Sequence, residues 1–443
     1  MRIEKDILGE VQLEDDCLYG INTKRAENNF ALEHKKVSSA LIQAMVLTKK
    51  AAAMTHERLC PEEKAKFQSI VCACDQILSA DFPMERWFVT EALQGGAGTS
   101  TNMNVNEVIA NLALIDAGYQ PGEYQYIHPL DDVNRSQSTN DVYPTALRIA
   151  AITEIRKLSD ACAKLQTALQ EKENEFQNVK KLGRTEWMDA VEVSLGEEFG
   201  SYAQALARDR WRIYKVEERL RQVNIGGTAV GIANGANHKY CFGVIEQLRK
   251  LTGFGLAAAE YPMDLTQNND VFVEVSGLLK ALAVNLMKIS GDLRIMNSGP
   301  KGGFGEIQLA QLQQGSSIMP GKINPVIPEM VMECAMRVIA NDTAITMAAA
   351  HGELELNAFL PLIADCLLES LTLETKAVNL FREKCIVPLK ANERNCRRHL
   401  EESYAFATAY IPRLGYDRVS EIVHNYDVRE AKEQLENILS KMD

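Results

Sequence analysis

Residues 315–325, Gly-Ser-Ser-Ile-Met-Pro-Gly-Lys-Ile-Asn-Pro, gather Ser316, Ser317, Lys322 and Asn324 into one short stretch punctuated by glycine. Hydroxyls, an ammonium and an amide are groups that grip an oxyanion. The glycines leave the backbone free to close over a ligand and bring a hydroxyl to the reacting atom. The stretch is not a nucleotide-phosphate loop, because Gly321-Lys322 is followed by Ile323 and not by Ser or Thr. Three more polar islands have similar chemistry: GGAGTSTNMN at 95–104, NRSQSTND at 134–141 and GRTEWMDA at 183–190. In the first, glycines permit close backbone approach and hydroxyls and amides follow. The second sits at a predicted helix start, where free N–H groups and the helix dipole attract carboxylates. Each island alone reads as a capped turn. Four of them make a site if helix packing brings their ends together.

Long helices are what the rest of the chain supplies to do this. Ile155, Leu158, Cys162, Leu165 and Leu169 step by three and four, as do Leu279, Leu282, Leu286, Ile289, Leu293 and Met296. That spacing predicts bundle packing rather than helices lying on a sheet. Phe199, Tyr202, Leu206, Ile213, Val216 and Leu220 continue the pattern less strictly, and 331–350 is mostly apolar or small. The latter is expected at a bundle centre or an intersubunit face. A fifth long helix is predicted over 360–381. The first long helix should start with Thr139 or Asn140 as its cap and Pro144 in its first turn. Gly299-Pro300-Lys301-Gly302-Gly303-Phe304-Gly305-Glu306 is expected to be a hinge ahead of the serine loop.

Composition narrows the function classes. With 443 residues, 46% hydrophobic and 24% charged, the chain is an ordinary globular protein of more than one domain. A formal charge of -12 leaves no basic footprint for nucleic acid or an anionic membrane surface, so the cations of an anion site must be concentrated locally. No apolar run reaches membrane-spanning length and residues 1–6 have no apolar signal core, which predicts a cytoplasmic protein. The ten cysteines are scattered, and Cys72 and Cys74 lack the spacing of a redox or zinc motif, so they are expected as reduced thiols. His128, next to Pro129, reads as a structural turn residue, and His238 and His351 have no metal-ligand spacing. No cofactor and no catalytic metal are expected.

GGAGTSTNMNVNEV, VNRSQSTNDVYPTA, GRTEWMDA, TQNND at 266–270 and GSSIMPGKINP follow one another in the order and at the approximate separations of the aspartase/fumarase superfamily, which the chain resembles over nearly its whole length. TQNND and ELELN at 353–357 are closer to the aspartase branch than to the fumarases. The resemblance implies a mainly α, three-domain fold with a central bundle of long helices. Its N-terminal domain would span 1–133, the bundle 134–385 and a small C-terminal domain 386–443. It also implies a homotetramer whose active sites are built from three subunits. The implied reaction is carbon–nitrogen elimination from L-aspartate through a dianionic aci-carboxylate, giving fumarate and ammonia, with Ser316 as general base. Thr99, Ser138, Thr139, Lys322 and Asn324 would hold the carboxylate that takes up charge, and Asn140 and Thr185 would lie nearer the departing amine and the second carboxylate. Two further readings within the superfamily are a hydratase acting on malate and a catalytically silent structural relative.

One position departs from the family pattern. Glu186 stands where His or Gln usually follows Gly-Arg-Thr, with Trp187 after it, and Glu192 replaces a common proline. An anion here would repel the second carboxylate of aspartate. Three accounts are open. Glu186 is protonated and donates; or it turns away to pair with Arg184 or another cation; or the substrate is another β-amino acid or an N-substituted aspartate that lacks a free carboxylate at that point.

Overall fold

Apolar stripes at three-four spacing become helices throughout the chain, and the computed structural model, which describes residues 1–442, is mainly α with only short strands. It opens on an antiparallel pair, β1 (Arg2–Asp6) and β2 (Gly9–Leu13). Then come α1 (Ile21–Asn29), α2 (Ser39–Leu59), α3 (Lys64–Ile77), the short α4 (Met84–Trp87) and α5 (Thr99–Asp116). The long α6 (Thr139–Glu175) runs into a hairpin, β3 (Lys180–Thr185) and β4 (Met188–Ser194), which leads to α7 (Leu195–Leu220). After α8 (His238–Thr252) and α9 (Pro262–Gln267) come three more long helices, α10 (Asp270–Met296), α11 (Val326–Ala349) and α12 (Leu360–Phe381). Short helices complete the chain.

The chain divides into two compact units. The first holds Met1–Ser159, Arg212–Lys280 and Arg337–Leu373, and the second holds the remainder. In the first, Glu107 of α5 is buried and accepts the N–H groups of Gly20, Asn22 and Thr23 at 2.8, 2.9 and 3.1 Å, so a carboxylate from one helix caps the start of α1. A Cβ on Gly20 would lie 2.9 Å from that carboxylate carbon, which is why the position needs a glycine despite its ordinary backbone angles. Asp342 of α11 accepts from Ser276 and Lys280 of α10 at 2.8 and 2.6 Å, and Asn341 donates to Ser370 of α12 at 3.1 Å. In the second unit, Tyr202 and Asp209 of α7 meet Asp292 and Asn285 of α10 at 2.8 and 2.6 Å.

The stripes read from the sequence are the buried faces: Leu158, Cys162, Leu165, Leu169, Leu282 and Leu293 are all fully buried. Each such side chain contributes about 1.5–3 kcal/mol relative to exposure. Three expectations are refined. Pro144 stands inside α6, past its first turn. Ser138, not Thr139 or Asn140, caps α6: its hydroxyl accepts the Asn140 N–H at 3.2 Å while Asp141 accepts the Ser138 N–H at 2.9 Å. Helix α11 buries Val331, Ala335, Val338 and Ile345, yet Met336 and Met347 are 51% and 61% exposed, so a single chain does not enclose it. No helix among the described residues is long and apolar enough to cross a membrane.

Candidate active site

In the first unit, two helix starts meet at one basin. Thr99, Asn102 and Met103 of α5 line it together with Asn134, Gln137, Ser138 and Thr139 from the approach to α6. The turn into α5 runs through Gly96, Ala97 and Gly98, all at positive φ, and a Cβ on Gly98 would lie 2.3 Å from the Tyr143 ring. Only glycine lets α5 start this close to α6. Thr99 is exposed, and its hydroxyl donates to the Gly96 carbonyl at 2.7 Å. Thr139 is buried, and its Oγ1 accepts from Asn102 Nδ2 at 3.1 Å, which leaves its own O–H free to donate to a ligand. Asn140 is not itself a lining residue; its amide donates to the carbonyl of Ala229, on another wall of the basin, at 2.8 Å.

Thr228, Ala229, Asn234 and Gly235 close another side of the basin. Sequence reasoning passed over this wall. Its signal was the repeated glycine of Gly226-Gly227-Thr228-Ala229-Val230-Gly231 and Asn234-Gly235, several of which adopt positive φ, as do Thr228 and Ala233. Asp141 pins the wall to α6: its buried carboxylate accepts the Gly226 and Thr228 N–H groups at 3.0 and 2.9 Å. Burial pushes the Asp141 carboxyl up to about 6, against three backbone N–H groups that favour the anion.

The second unit carries the remaining residues on two separate features. The serine loop is mostly exposed, and its ends are tied by Gly315 N–H to the Lys322 carbonyl at 2.9 Å and Asn324 Nδ2 to the Gly315 carbonyl at 2.9 Å. Ser316 Oγ is the acceptor of two backbone donors, the N–H groups of Ile318 at 3.2 Å and Met319 at 2.9 Å. Lys322 is exposed, and Ile318 is 84% exposed, so none of the described residues covers the loop. The glycine-rich segment expected as a hinge ends in an anchor: Glu306 is fully buried against Lys181, Arg184 and His399 at 2.9, 2.8 and 3.0 Å. Burial works against the Glu306 anion, but Lys181 and the bonds from His399 and Arg184 hold its carboxyl below the usual range.

Thr185 and Glu186 sit at the exposed tip of the β3–β4 hairpin, where Thr185 pairs with Met188 and Glu186-Trp187 form the whole turn. Both turn residues have positive φ, 53° and 68°, the geometry that favours Asn-Gly. Of the three accounts of Glu186, pairing with Arg184 is not what the structure holds, because Arg184 is engaged by Glu306 and lies over the Phe304 ring. Glu192 pairs with Lys180 at 3.3 Å across the hairpin. His128 is the turn residue expected, its Nδ1 accepting the N–H groups of Leu130 and Asp131 at 3.1 Å. Cys60, Glu62 and Glu63 come within reach of a common ion, but Glu63 is already engaged by Arg135 and carries no metal reading.

Hydrogen-bond donors at two helix starts and a serine on an exposed, glycine-flanked loop are groups that can hold an anion and move a proton. Comparison with known proteins decides the family: residues 9–340 match the family described as Lyase. The chain belongs to the aspartase/fumarase superfamily of lyases. It is 44% identical over 424 residues to the aspartate ammonia-lyase of Pseudomonas canavaninivorans, covering 95% of this chain and 89% of that one. The solved fumarate lyase:delta crystallin of Brucella melitensis, bound to cobalt, is 44% identical with a TM-score of 0.93, over 98% of this chain and 95% of that one. The class II fumarase of Schistosoma mansoni shares the fold at 30% identity and a TM-score of 0.94, again over 98% and 95%. With relatives of this kind over most of its length, this superfamily member is a carbon–nitrogen lyase.

Proposed function

We propose that this lyase converts L-aspartate to fumarate and ammonia, acting as a homotetramer whose sites combine residues of three subunits, in a three-domain chain divided at 1–133, 134–385 and 386–443. Abstraction of the Cβ proton leaves an electron pair that enters the adjacent carboxylate as an aci-carboxylate dianion, and its collapse breaks the C–N bond. Stabilising that dianion is the main task, because the carbon acid is so weak. Thr99, Ser138 and Thr139 at their helix starts, with Lys322 and Asn324 on the loop, supply the donors and the charge. Asn140, Thr185 and Glu186 belong to the amine and second-carboxylate end.

The observation that carries the reading is the environment of Ser316. A serine hydroxyl is a poor base unless its alkoxide is stabilised, and two backbone N–H groups of its own loop already point at Oγ. Upon closure the same donors, with Lys322, would favour the alkoxide and lower the cost of taking a proton from carbon. The test is fumarate absorbance on mixing protein with L-aspartate, with L-malate in parallel and Ser316→Ala as control. Ser316-dependent fumarate from aspartate alone is expected. Fumarate from malate without ammonium dependence would make the chain a hydratase, and silence on both would remove the aspartate assignment.

Glu186 favours a second reading, an ammonia-lyase for another β-amino acid or an N-substituted aspartate. It presents an exposed carboxylate from a turn of unfavourable backbone geometry, with Arg184 already committed elsewhere. On that reading the wild type is poor on aspartate and Glu186→His improves it. A poor wild type that Glu186→His leaves unimproved would clear Glu186 of the blame.

A further inference from the structure

Lys49 is a lysine in the middle of α2 with no exposed surface, and among the described residues no carboxylate lies within ion-pair distance of it. An ammonium buried in this way without a counter-ion is among the least tolerated arrangements in a folded chain. Its one hydrogen bond leads towards the basin. Nζ donates to Asn134 Oδ1 at 2.7 Å, the same oxygen that accepts Asn102 Nδ2 at 3.1 Å and Asn106 Nδ2 at 3.2 Å. Asn102 Nδ2 is also within 3.1 Å of Thr139 Oγ1, and Asn134, Asn102 and Thr139 all line the basin. The cation is therefore one amide removed from the place where the reading above puts a substrate carboxylate.

We propose that Lys49 is the internal countercharge of the anion basin, a positioning residue that acts through Asn134 and Asn102 on a carboxylate bound at Thr139. The inference rests on the basin binding a dicarboxylate, as set out under the proposed function. It assigns a role to a residue that touches no ligand. The charged and titratable groups that act on Lys49 are Asp141, from the first turn of α6, and Cys74, from α3. The amides of Asn102 and Asn106 from α5 and Asn134 add no charge. Burial pushes the Lys49 ammonium down to about 7, with Asp141 working in the opposite direction. Asp141 makes no ion pair with the lysine; its oxygens accept the N–H groups of Ser138, Gly226 and Thr228. In the empty basin the lysine is thus readily neutral above neutrality, and an anion arriving on the far side of Asn134 restores its proton.

Binding should therefore consume a proton. The experiment is calorimetric titration of the full-length protein with succinate, a dicarboxylate with neither the amine nor the leaving group, in two buffers of different ionisation enthalpy at pH 6.0, 7.0, 8.0 and 8.5. Uptake approaching one proton per site is expected at pH 8, with affinity falling by about tenfold per pH unit above neutrality and levelling off below it. In Lys49→Met, checked for folding by circular dichroism and melting, both the uptake and the pH slope should vanish and binding at pH 6 should weaken. With aspartate as substrate the same change should raise KM more than it lowers kcat. Succinate binding without proton uptake between pH 7 and 8.5 in the wild type overturns the inference even where Lys49→Met does not fold. Undiminished uptake in a folded Lys49→Met overturns it too, by moving the proton to another group such as Asp141. No succinate binding at any pH would overturn the basin reading itself, and this inference with it.

Discussion

The basin of the first unit and the serine loop of the second are built in opposite ways. The basin is held from behind: Thr139 by Asn102, the Gly226–Thr228 wall by Asp141, and the start of α5 by the Gly98–Tyr143 approach. Among the described residues the loop is held by its own bonds, through Gly315, Lys322, Asn324 and the Ser316 turn, with Ile318 and Met319 84% and 50% exposed. On the proposed reading, the groups that would bind are fixed when the chain folds, whereas the group that would take the proton rides on a segment with little to lose by moving. Loop variants should therefore change rate without changing stability, and basin variants should change both.

The largest effect expected is that of Ser316→Ala. Turnover of aspartate should fall by about 10²–10⁴-fold, while the melting temperature stays within a degree or so of wild type, since Oγ bonds only to its own loop. Turnover unchanged by the substitution would end the assignment of the base. A large loss of melting temperature would instead end the contrast between loop and basin.

Thr139→Val comes next. It keeps the shape but removes the hydroxyl offered to the ligand and the acceptor of Asn102, so KM should rise by about 10–100-fold for the loss of one hydrogen bond to a charged group. Thermal stability should fall as well, because Asn102 is buried. A raised KM with an unshifted melt would show that the basin is as loosely held as the loop.

Asp141→Asn tests the wall by stability alone. An amide nitrogen would face one of the three N–H groups the carboxylate now accepts, and the expected cost is about 1–3 kcal/mol by denaturant unfolding. The pH dependence has a definite sign. The Asp141 carboxyl is raised by burial from its ordinary range near 4 to about 6. Between those values the native state holds more protons than the unfolded chain, so stability from this group is full at low pH and declines as pH rises through 4 to 6. Asp141→Asn should abolish that part of the slope. A slope that persists belongs to another group.

How much of this was legible in the sequence follows from what each feature depends on. The long helices were, because a stripe such as Leu279, Leu282, Leu286, Ile289 and Leu293 is decided by local periodicity and is buried wherever the helix finds a partner. The donors at 95–104 and 134–141 were legible as residue types, though the cap of α6 lay one residue earlier than read. The wall at 224–235 was not, since its glycines carry a turn signal but not the partner, Asp141, that fixes them from far along the chain. Lys49 was hidden for the same reason: in a helix, a lysine normally reads as a solvated residue. The hairpin at 180–194 was missed because its turn uses Glu186-Trp187, which has none of the local chemistry that marks a two-residue turn.

That turn gives the smallest effect and the sharpest use of the comparison, since it belongs with the loop's unit but is held by the β3–β4 pairing. Two residues with side chains held at positive φ cost stability that Asn-Gly would recover, so the double variant Glu186→Asn, Trp187→Gly should be more stable by about 1 kcal/mol. Trp187 is 67% exposed and so gives up little buried surface on removal, and its one ring contact is with Phe304 at 6.2 Å. If the strain exists to present Glu186 and Trp187 to a substrate, kcat/KM on the best substrate should fall while the melting temperature rises, the trade-off expected of a functional turn. Gain in stability with kcat/KM untouched would reduce the turn to a connection, and the departure at Glu186 would then have no bearing on which amine the enzyme releases.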